Sequence, residues 1–387
     1  MPCLLVAHDA SLKKKVIALG FSPDLGNTPE IYSVLSKQAR CLMPELTYPK
    51  NIAFFRLSAL GDVVLAIPLI RAIQKQWPDC KITWITSSAV YPLLEGLEGI
   101  EFLVIKKPQK IKDYLSLRTL FKEYQFDILL AAQASFRTNL IYPFINAKRK
   151  IGFDNGRARD LHSWFVKEQI ESRDEHLAEG FMGFAKKLGI ESNALSWELS
   201  VNDADKKWAK QQRKNPKYIA INAAASKSER TWSAKKYANF IDLAFKKYQC
   251  QFVLTGGPAD NEINLANEIQ TLAKTKIDNL VGKTKHKQIA ALLGEVDCLI
   301  APDTGPAHIA VAMHTPVIGL YAVARSGLSG PYQSPDYTVD MYPQALQMFL
   351  GKELKDAGWH ERVHHQDAMD LIKVEDVMEQ LEKVFAL

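Results

Sequence analysis

From Lys50 onward the apolar and polar positions alternate between two rhythms. Continuously apolar runs of strand length, Asn51–Leu57 (NIAFFRL), Lys81–Thr86, Glu101–Ile105 and Phe126–Ala132, are separated by amphipathic stretches at Asp62–Trp77 and Lys112–Tyr124. Unbroken apolar runs predict strands buried on both faces, and helical spacing between them predicts crossover helices, hence a parallel sheet covered on both sides. The polar, basic stretch VNDADKKWAKQQRKNPK (201–217) interrupts this rhythm and reads as a surface helix and linker. Alternation then restarts, with strands predicted at Tyr218–Ala223, Gln251–Thr255, Cys298–Ala301 and Pro316–Tyr321. Helices are predicted at Ser233–Lys247, Asp260–Ala273, His286–Leu293, Gly305–His314 and Val374–Phe385. The pattern divides the chain into an extension (1–49) that does not fit the rhythm, a first α/β domain (50–200), a linker (201–217) and a second α/β domain (218–387). Open parallel sheets bind ligands in the crevice at the carboxyl ends of their strands, so chemistry is expected in the loops that follow the strands.

Composition narrows the function classes. With 387 residues, 47% of them hydrophobic, there is enough chain for two cores. A net charge of +6 is a mild bias toward anionic partners and not a nucleic-acid signature. The five cysteines (Cys3, Cys41, Cys80, Cys250, Cys298) are odd in number and widely spaced, which argues for a reducing compartment and against a disulfide frame. No stretch reaches the roughly 20 apolar residues of a membrane span, and no signal peptide opens the sequence, so a cytoplasmic protein is expected.

Four loops after strands carry candidate chemistry. In Ser58-Ala59-Leu60-Gly61-Asp62, Gly61 permits a tight turn and Asp62 sits in the first helical turn, where it either caps the helix or serves as a general base; spacing leaves both readings open. In Asp303-Thr304-Gly305-Pro306-Ala307-His308, a helix start, a hydroxyl, a glycine and a histidine form either an ordinary cap or a site for a pyrophosphate. Ser226, Lys227 and Arg230 follow the first strand of the second half, where the guanidinium is suited to phosphate oxygens; the alternative is a solvated loop. In Thr255–Glu262 the glycines permit close approach, and Asp260 or Glu262 can accept from ribose hydroxyls. Three motifs mislead. Gly282-Lys283-Thr284 lacks the earlier glycine of a P-loop, Ile277 standing there, and no Gly-x-Gly-x-x-Gly follows a strand. His360-Glu361-Arg362-Val363-His364 matches a zinc-protease pattern, but its surroundings are not an apolar helix and no third ligand is evident.

The segments RLSALGDVVLAIPLIRAI, INAAASKSERTWSAKKYANFI, LTGGPADNEINLANEI, GKTKHKQIAALLGEVDCLIAPDTGPAHIAVAMHTPVIGLYA and AMDLIKVEDVMEQL resemble, in matching order, bacterial ADP-heptose:lipopolysaccharide heptosyltransferases of glycosyltransferase family 9. The resemblance runs from about Lys50 to the C-terminus, and its most specific pieces are Ser-x-x-Gly-Asp and Asp-Thr-Gly-x-x-His. It implies the GT-B fold, two Rossmann-like domains with parallel sheets facing a central cleft, and inverting transfer of heptose from ADP-heptose to Kdo or heptose of the inner core. Asp62 then matches the catalytic base. Ser226, Arg230, Asp260, Glu262, Asp303, Thr304, Gly305 and His308 match donor-binding positions, and Ser58, Gly61 and Arg159 fall on the acceptor side. Departures are the extension before the family's usual start, Ala225 in place of a frequent donor-loop hydroxyl, and the lack of a cysteine near Ala368-Met369. No cluster of carboxylates suggests a metal, so no cofactor and no metal are expected, and the mild charge speaks for no nucleic acid; the resemblance implies a glycolipid acceptor met at the inner face of the inner membrane, where the protein would rest peripherally. Two rival readings share the fold: a nucleotide-sugar epimerase, and a non-catalytic nucleotide-sugar binder.

Overall fold

The computed structural model describes residues 48–386 except 159, 192–194 and 360. The expected extension therefore falls almost wholly outside the described residues, as does Arg159. Pro49–Leu387 forms one compact unit built on two sheets. The first sheet comprises β1 (Asn51–Phe55), β2 (Lys81–Ser87), β3 (Ile100–Ile105), β4 (Phe126–Ala131), β5 (Ala147–Gly152) and β6 (Glu168–Gln169). The second comprises β7 (Tyr218–Asn222), β8 (Gln251–Thr255), β9 (Asp278–Asn279), β10 (Cys298–Pro302), β11 (Val317–Tyr321) and β12 (Val339–Asp340). The helices in chain order are α1 (Leu60–Leu65), α2 (Ile67–Gln76), α3 (Tyr91–Leu94), α4 (Ile111–Phe121), α5 (Phe136–Asn139), α6 (His162–Phe165), α7 (Leu177–Lys187) and α8 (Asp203–Gln212). There follow α9 (Ala234–Tyr248), α10 (Asp260–Leu272), α11 (His286–Leu293), α12 (Gly305–Ala312), α13 (Ser326–Ser329), α14 (Tyr342–Leu350) and α15 (Val374–Phe385).

Both sheets are parallel and share one topology, β3-β2-β1-β4-β5-β6 and β12-β11-β10-β7-β8-β9. Each reverses strand order beside its first strand, and a crevice opens at that switch point. The central strands are as apolar as their position demands: Ile52, Ala53, Phe54 and Phe55 of β1 are wholly buried between β2 and β4.

The stretch Asp62–Trp77, expected as one helix, is two. Pro68 has no N–H and its ring would clash with the carbonyl four residues back, so the ladder breaks at Ala66. The carbonyl that Pro68 leaves without its helical donor is that of Val64, and the buried Trp197 indole N–H donates to it at 3.0 Å. The carbonyl exposed by the break is thereby satisfied internally. The 201–217 stretch carries α8, which buries Ala209, and is pinned beyond it by Arg213 on Asp297 at 2.9 and 3.0 Å. Strands β5 and β6 were not expected: AKRKIG shows no apolar run, because its outer half carries Lys148, which pairs with Asp127, and Arg149, which pairs with Glu168.

Candidate active site

The first sheet delivers Asp62 to its switch point. The chain leaves β1 through Arg56, whose guanidinium donates to the Ala132 carbonyl just past β4 at 2.6 Å, and through Leu57, whose N–H donates to Gln133 at 2.7 Å. It then turns into α1 at Ser58–Ala59. Asp62 Oδ2 accepts the Ala59 N–H at 2.9 Å and is ion-paired to Arg56. Both contacts fall on Oδ2, so Oδ1 is left without a protein partner among the described residues. The capping role and a catalytic one are thus compatible, one oxygen serving each. Ser58 Oγ accepts from Lys107 Nζ at 2.6 Å, and the ammonium pKa is lowered by partial burial and by the nearby Arg56 and Arg137 charges.

The second sheet delivers the remaining groups from three loops beside its own switch point. After β7, Ser226 Oγ accepts from Arg230 at 2.7 Å, and Arg230 reaches the loop after β10 to pair with Asp303 at 2.8 Å. Arg230 is thus an oriented guanidinium rather than a solvated one. After β8, Glu262 accepts the Gly257 N–H at 2.7 Å and folds the Gly256-Gly257 turn onto α10, while Asp260 is exposed as the first residue of α10. After β10, Thr304 stands at the cap position of α12 yet makes no side-chain capping bond. Thr304 Oγ1 and His308 Nδ1 are both buried with no partner among the described residues. Buried polar atoms are ordinarily paired, so two orphans beside one helix start mark a place where a ligand is expected. Burial lowers the His308 pKa against the opposing pull of Asp303 and then Asp62, so the ring is neutral at neutral pH.

The two crevices meet. Gly61 lies against the His308 ring, and a Cβ built on it would come within 3.5 Å of Gly305 Cα; a Cβ on Gly305 would lie 3.3 Å from Gly61 N. Close packing of α1 on α12 at two glycines places Asp62 of the first sheet beside the Thr304–His308 turn of the second. The halves are further tied by His176 Nε2 on the Gly330 carbonyl at 2.9 Å, by bidentate Arg325–Asp174 at 3.0 and 2.9 Å, and by Tyr332 on Glu179 at 3.1 Å.

Asp62 opens into a cavity of about 300 Å³ lined also by Arg56, Phe153, Arg157, Trp359 and Arg362. Trp359 stands just before the zinc-like motif and Arg362 inside it, and the sequence alone gives neither a site role. His360 is outside the described residues; Glu361 is taken by Lys352 at 2.6 Å and the Gly358 N–H at 2.9 Å, and His364 by Glu229 at 2.6 Å. Among the described residues no group of three or more His, Cys, Asp or Glu is placed to hold a metal ion. Only the return of the chain past the end of β11, where the Val363 N–H donates to Val323 at 3.0 Å, brings Trp359 and Arg362 to the cleft, and no local motif signals that.

Residues 114–348 match the model of glycosyltransferase family 9 (heptosyltransferase). The chain is 34% identical to the lipopolysaccharide core heptosyltransferase OpsX of Haemophilus influenzae over 87% of this chain and 97% of that protein. It is 25% identical to lipopolysaccharide heptosyltransferase 3 of Escherichia coli over 84% and 95%. Among solved structures, a family 9 glycosyltransferase from Veillonella parvula superposes with a TM-score of 0.71 at 20% identity, covering 87% of this chain and 97% of that one. Escherichia coli heptosyltransferase WaaC, solved with ADP, superposes with a TM-score of 0.65 at 17% identity, covering 86% and 99%.

Proposed function

Since the chain belongs to glycosyltransferase family 9, the heptosyltransferases, we propose that its cleft moves heptose from ADP-heptose onto an inner-core sugar of lipopolysaccharide, Kdo or a previous heptose, with inversion at the anomeric carbon. The observation that carries this reading is the apposition of Asp62, with Oδ1 free, to the Thr304–His308 turn with its two unpartnered polar atoms. Asp62 Oδ1 takes the proton of the acceptor hydroxyl as that oxygen attacks the anomeric carbon. The bond from that carbon to the ADP oxygen breaks on the opposite face, and the electron pair leaves with ADP. Arg230, held by Asp303 and Ser226, and the N–H groups at the start of α12 stabilise the charge that develops on the pyrophosphate. Thr304 and His308 supply further hydrogen bonds to the donor, and Glu262 or Asp260 accepts from the ribose. In this reading the positive charge comes from the chain itself, so turnover is metal-independent.

The acceptor is a glycolipid, and one face of the first sheet suits a lipid surface. The parallel sheet puts the loops after β3, β4 and β5 on one edge, the edge that also carries Asp62. There Ile111 is 81% exposed, Trp164 77% and Phe136 57%, among the exposed Lys106, Lys110 and Lys112. Exposed aromatic and aliphatic side chains flanked by lysines fit an anionic leaflet, each nearby lysine contributing about 1 kcal/mol. No helix among the described residues is long and apolar enough to cross a membrane. The protein thus rests peripherally on the cytoplasmic face of the membrane, with Asp62 turned toward its acceptor.

Incubation with ADP-heptose and defined core acceptors, followed by mass spectrometry, tests the assignment. One heptose added per acceptor with ADP released, insensitive to chelator, is expected. Turnover of the donor without an acceptor would mark an epimerase, and binding without turnover a passive binder. Activity abolished by chelator and restored by a divalent cation would overturn the charge assignment.

A further inference from the structure

We infer that Arg362, contributed by the segment that returns from the second sheet, reads an anionic substituent on the acceptor sugar beside Asp62. The inference rests on the assignment of Asp62 to the acceptor side. Three guanidiniums line the cavity. Arg56 is paired with Asp62, the one carboxylate among the lining residues. Arg157 is paired with Asp154 at 2.8 Å and Glu175 at 2.7 Å. Arg362 forms no ion pair among the described residues, and its Nη1 is buried without a partner.

The segment that carries it is built, not loose. On one side the Glu361 carboxylate accepts the Gly358 N–H and Lys352, and on the other Val363 is wholly buried and bonded to Val323. A buried guanidinium donor left unpaired is costly, and the ligand that completes it best is a carboxylate or phosphate, which a guanidinium grips in bidentate fashion. Trp359 lies over the Arg157 guanidinium at 4.7 Å and supplies a flat wall for a sugar ring. The cavity belongs to the acceptor and not to the donor, because Ser226, Arg230, Asp303 and Thr304 do not line it, while Asp62, Ala134, Phe153, Arg157 and Phe181 of the first half do. An acceptor in this cavity is then held from both halves: its hydroxyl at Asp62, its negative charge at Arg362.

The test uses the full chain and two matched pairs of soluble acceptors, a Kdo glycoside with its carboxamide and a heptose glycoside with and without a phosphate. Binding is measured by calorimetry without donor, and transfer is measured separately. Wild-type protein is expected to prefer the charged member of one pair by about 10- to 100-fold, and the preferred pair identifies the group read. Arg362→Gln should collapse that preference, with ADP affinity and melting temperature unchanged, and Arg362→Lys should keep part of it. Equal binding of charged and uncharged acceptors by wild type, an intact preference in Arg362→Gln, or loss of ADP affinity in that variant would each overturn the inference. Selective binding of the charged acceptor with no transfer would instead leave the inference standing and refute the transferase assignment, so the two failures are distinct.

Discussion

Gly61→Ala places a methyl group at the point where the two halves touch. Two effects oppose each other there. Alanine in a helix is favoured over glycine by up to about 1 kcal/mol. Against this, the new Cβ would overlap the His308 ring at Cδ2 and approach its Nε2 to 3.3 Å and Gly305 Cα to 3.5 Å. His308 is only 5% exposed, so its ring cannot swing into solvent, and relief requires α12 to move away from α1. Overpacking of this kind costs about 1–3 kcal/mol, so a net loss of about 1–2 kcal/mol is expected. Because the displaced helix begins at Gly305, ADP affinity should fall several-fold as well. Denaturant unfolding and ADP calorimetry on the variant read both effects. Gly327→Ala is the control: a Cβ there meets nothing nearer than Arg325 Nε at 3.9 Å, and stability should stay within about 0.5 kcal/mol. A Gly61→Ala protein as stable as wild type, or more so, with unchanged ADP affinity would refute the claim that the cleft floor is a glycine-to-glycine contact.

Trp197→Phe strips the donor from the Val64 carbonyl at the Pro68 break and should cost about 1–3 kcal/mol in unfolding experiments; full stability would refute the claim that the indole completes that carbonyl. Burial pushes His162 and His176 down to about 4, so the folded chain holds both neutral while the unfolded chain takes up a proton at each near pH 6.5. Stability is therefore present above pH 6.5 and is lost as pH falls from there toward about 4, by about 1.4 kcal/mol per histidine per pH unit. Unfolding titrations across that range should show the slope, and His176→Gln should reduce it; a flat profile would contradict the assignment. Arg230→Ala should weaken ADP binding by about 1.5–3 kcal/mol in calorimetry, whereas unchanged affinity would place the pyrophosphate elsewhere.

How far the sequence foretold the molecule depends on whether the signal was local. Long apolar runs such as NIAFFRL and amphipathic stretches such as Val374–Phe385 reappear as β1 and α15 because the central strands and covering helices of a parallel sheet are set by periodicity. The outlying strands β5, β6, β9 and β12, of which all but β5 are sheet edges, are short or charged, and pairing with a neighbour defines them instead. At the candidate site, Asp62, Arg230, Asp303, Thr304 and His308 stand out in the sequence because each lies in a loop that follows a strand or in the first turn or so of the helix that the loop opens. Their partnerships were not. Arg230 with Asp303 spans 73 residues, and the contact of Gly61 with His308 joins different sheets. Arg362 lay inside a motif read as a zinc-site mimic, and only the path of the chain past β11 gives it a place.

The central claim is that Asp62 takes the acceptor's proton, and one variant tests it most directly. Asp62→Asn retains the shape and still accepts the Ala59 N–H, but cannot act as a base. Turnover with ADP-heptose and a core acceptor should fall by about 10²–10⁴-fold, while ADP affinity hardly changes, because the residues proposed to hold the donor follow strands of the other sheet. An Asp62→Asn protein that transfers heptose at the wild-type rate would contradict the account.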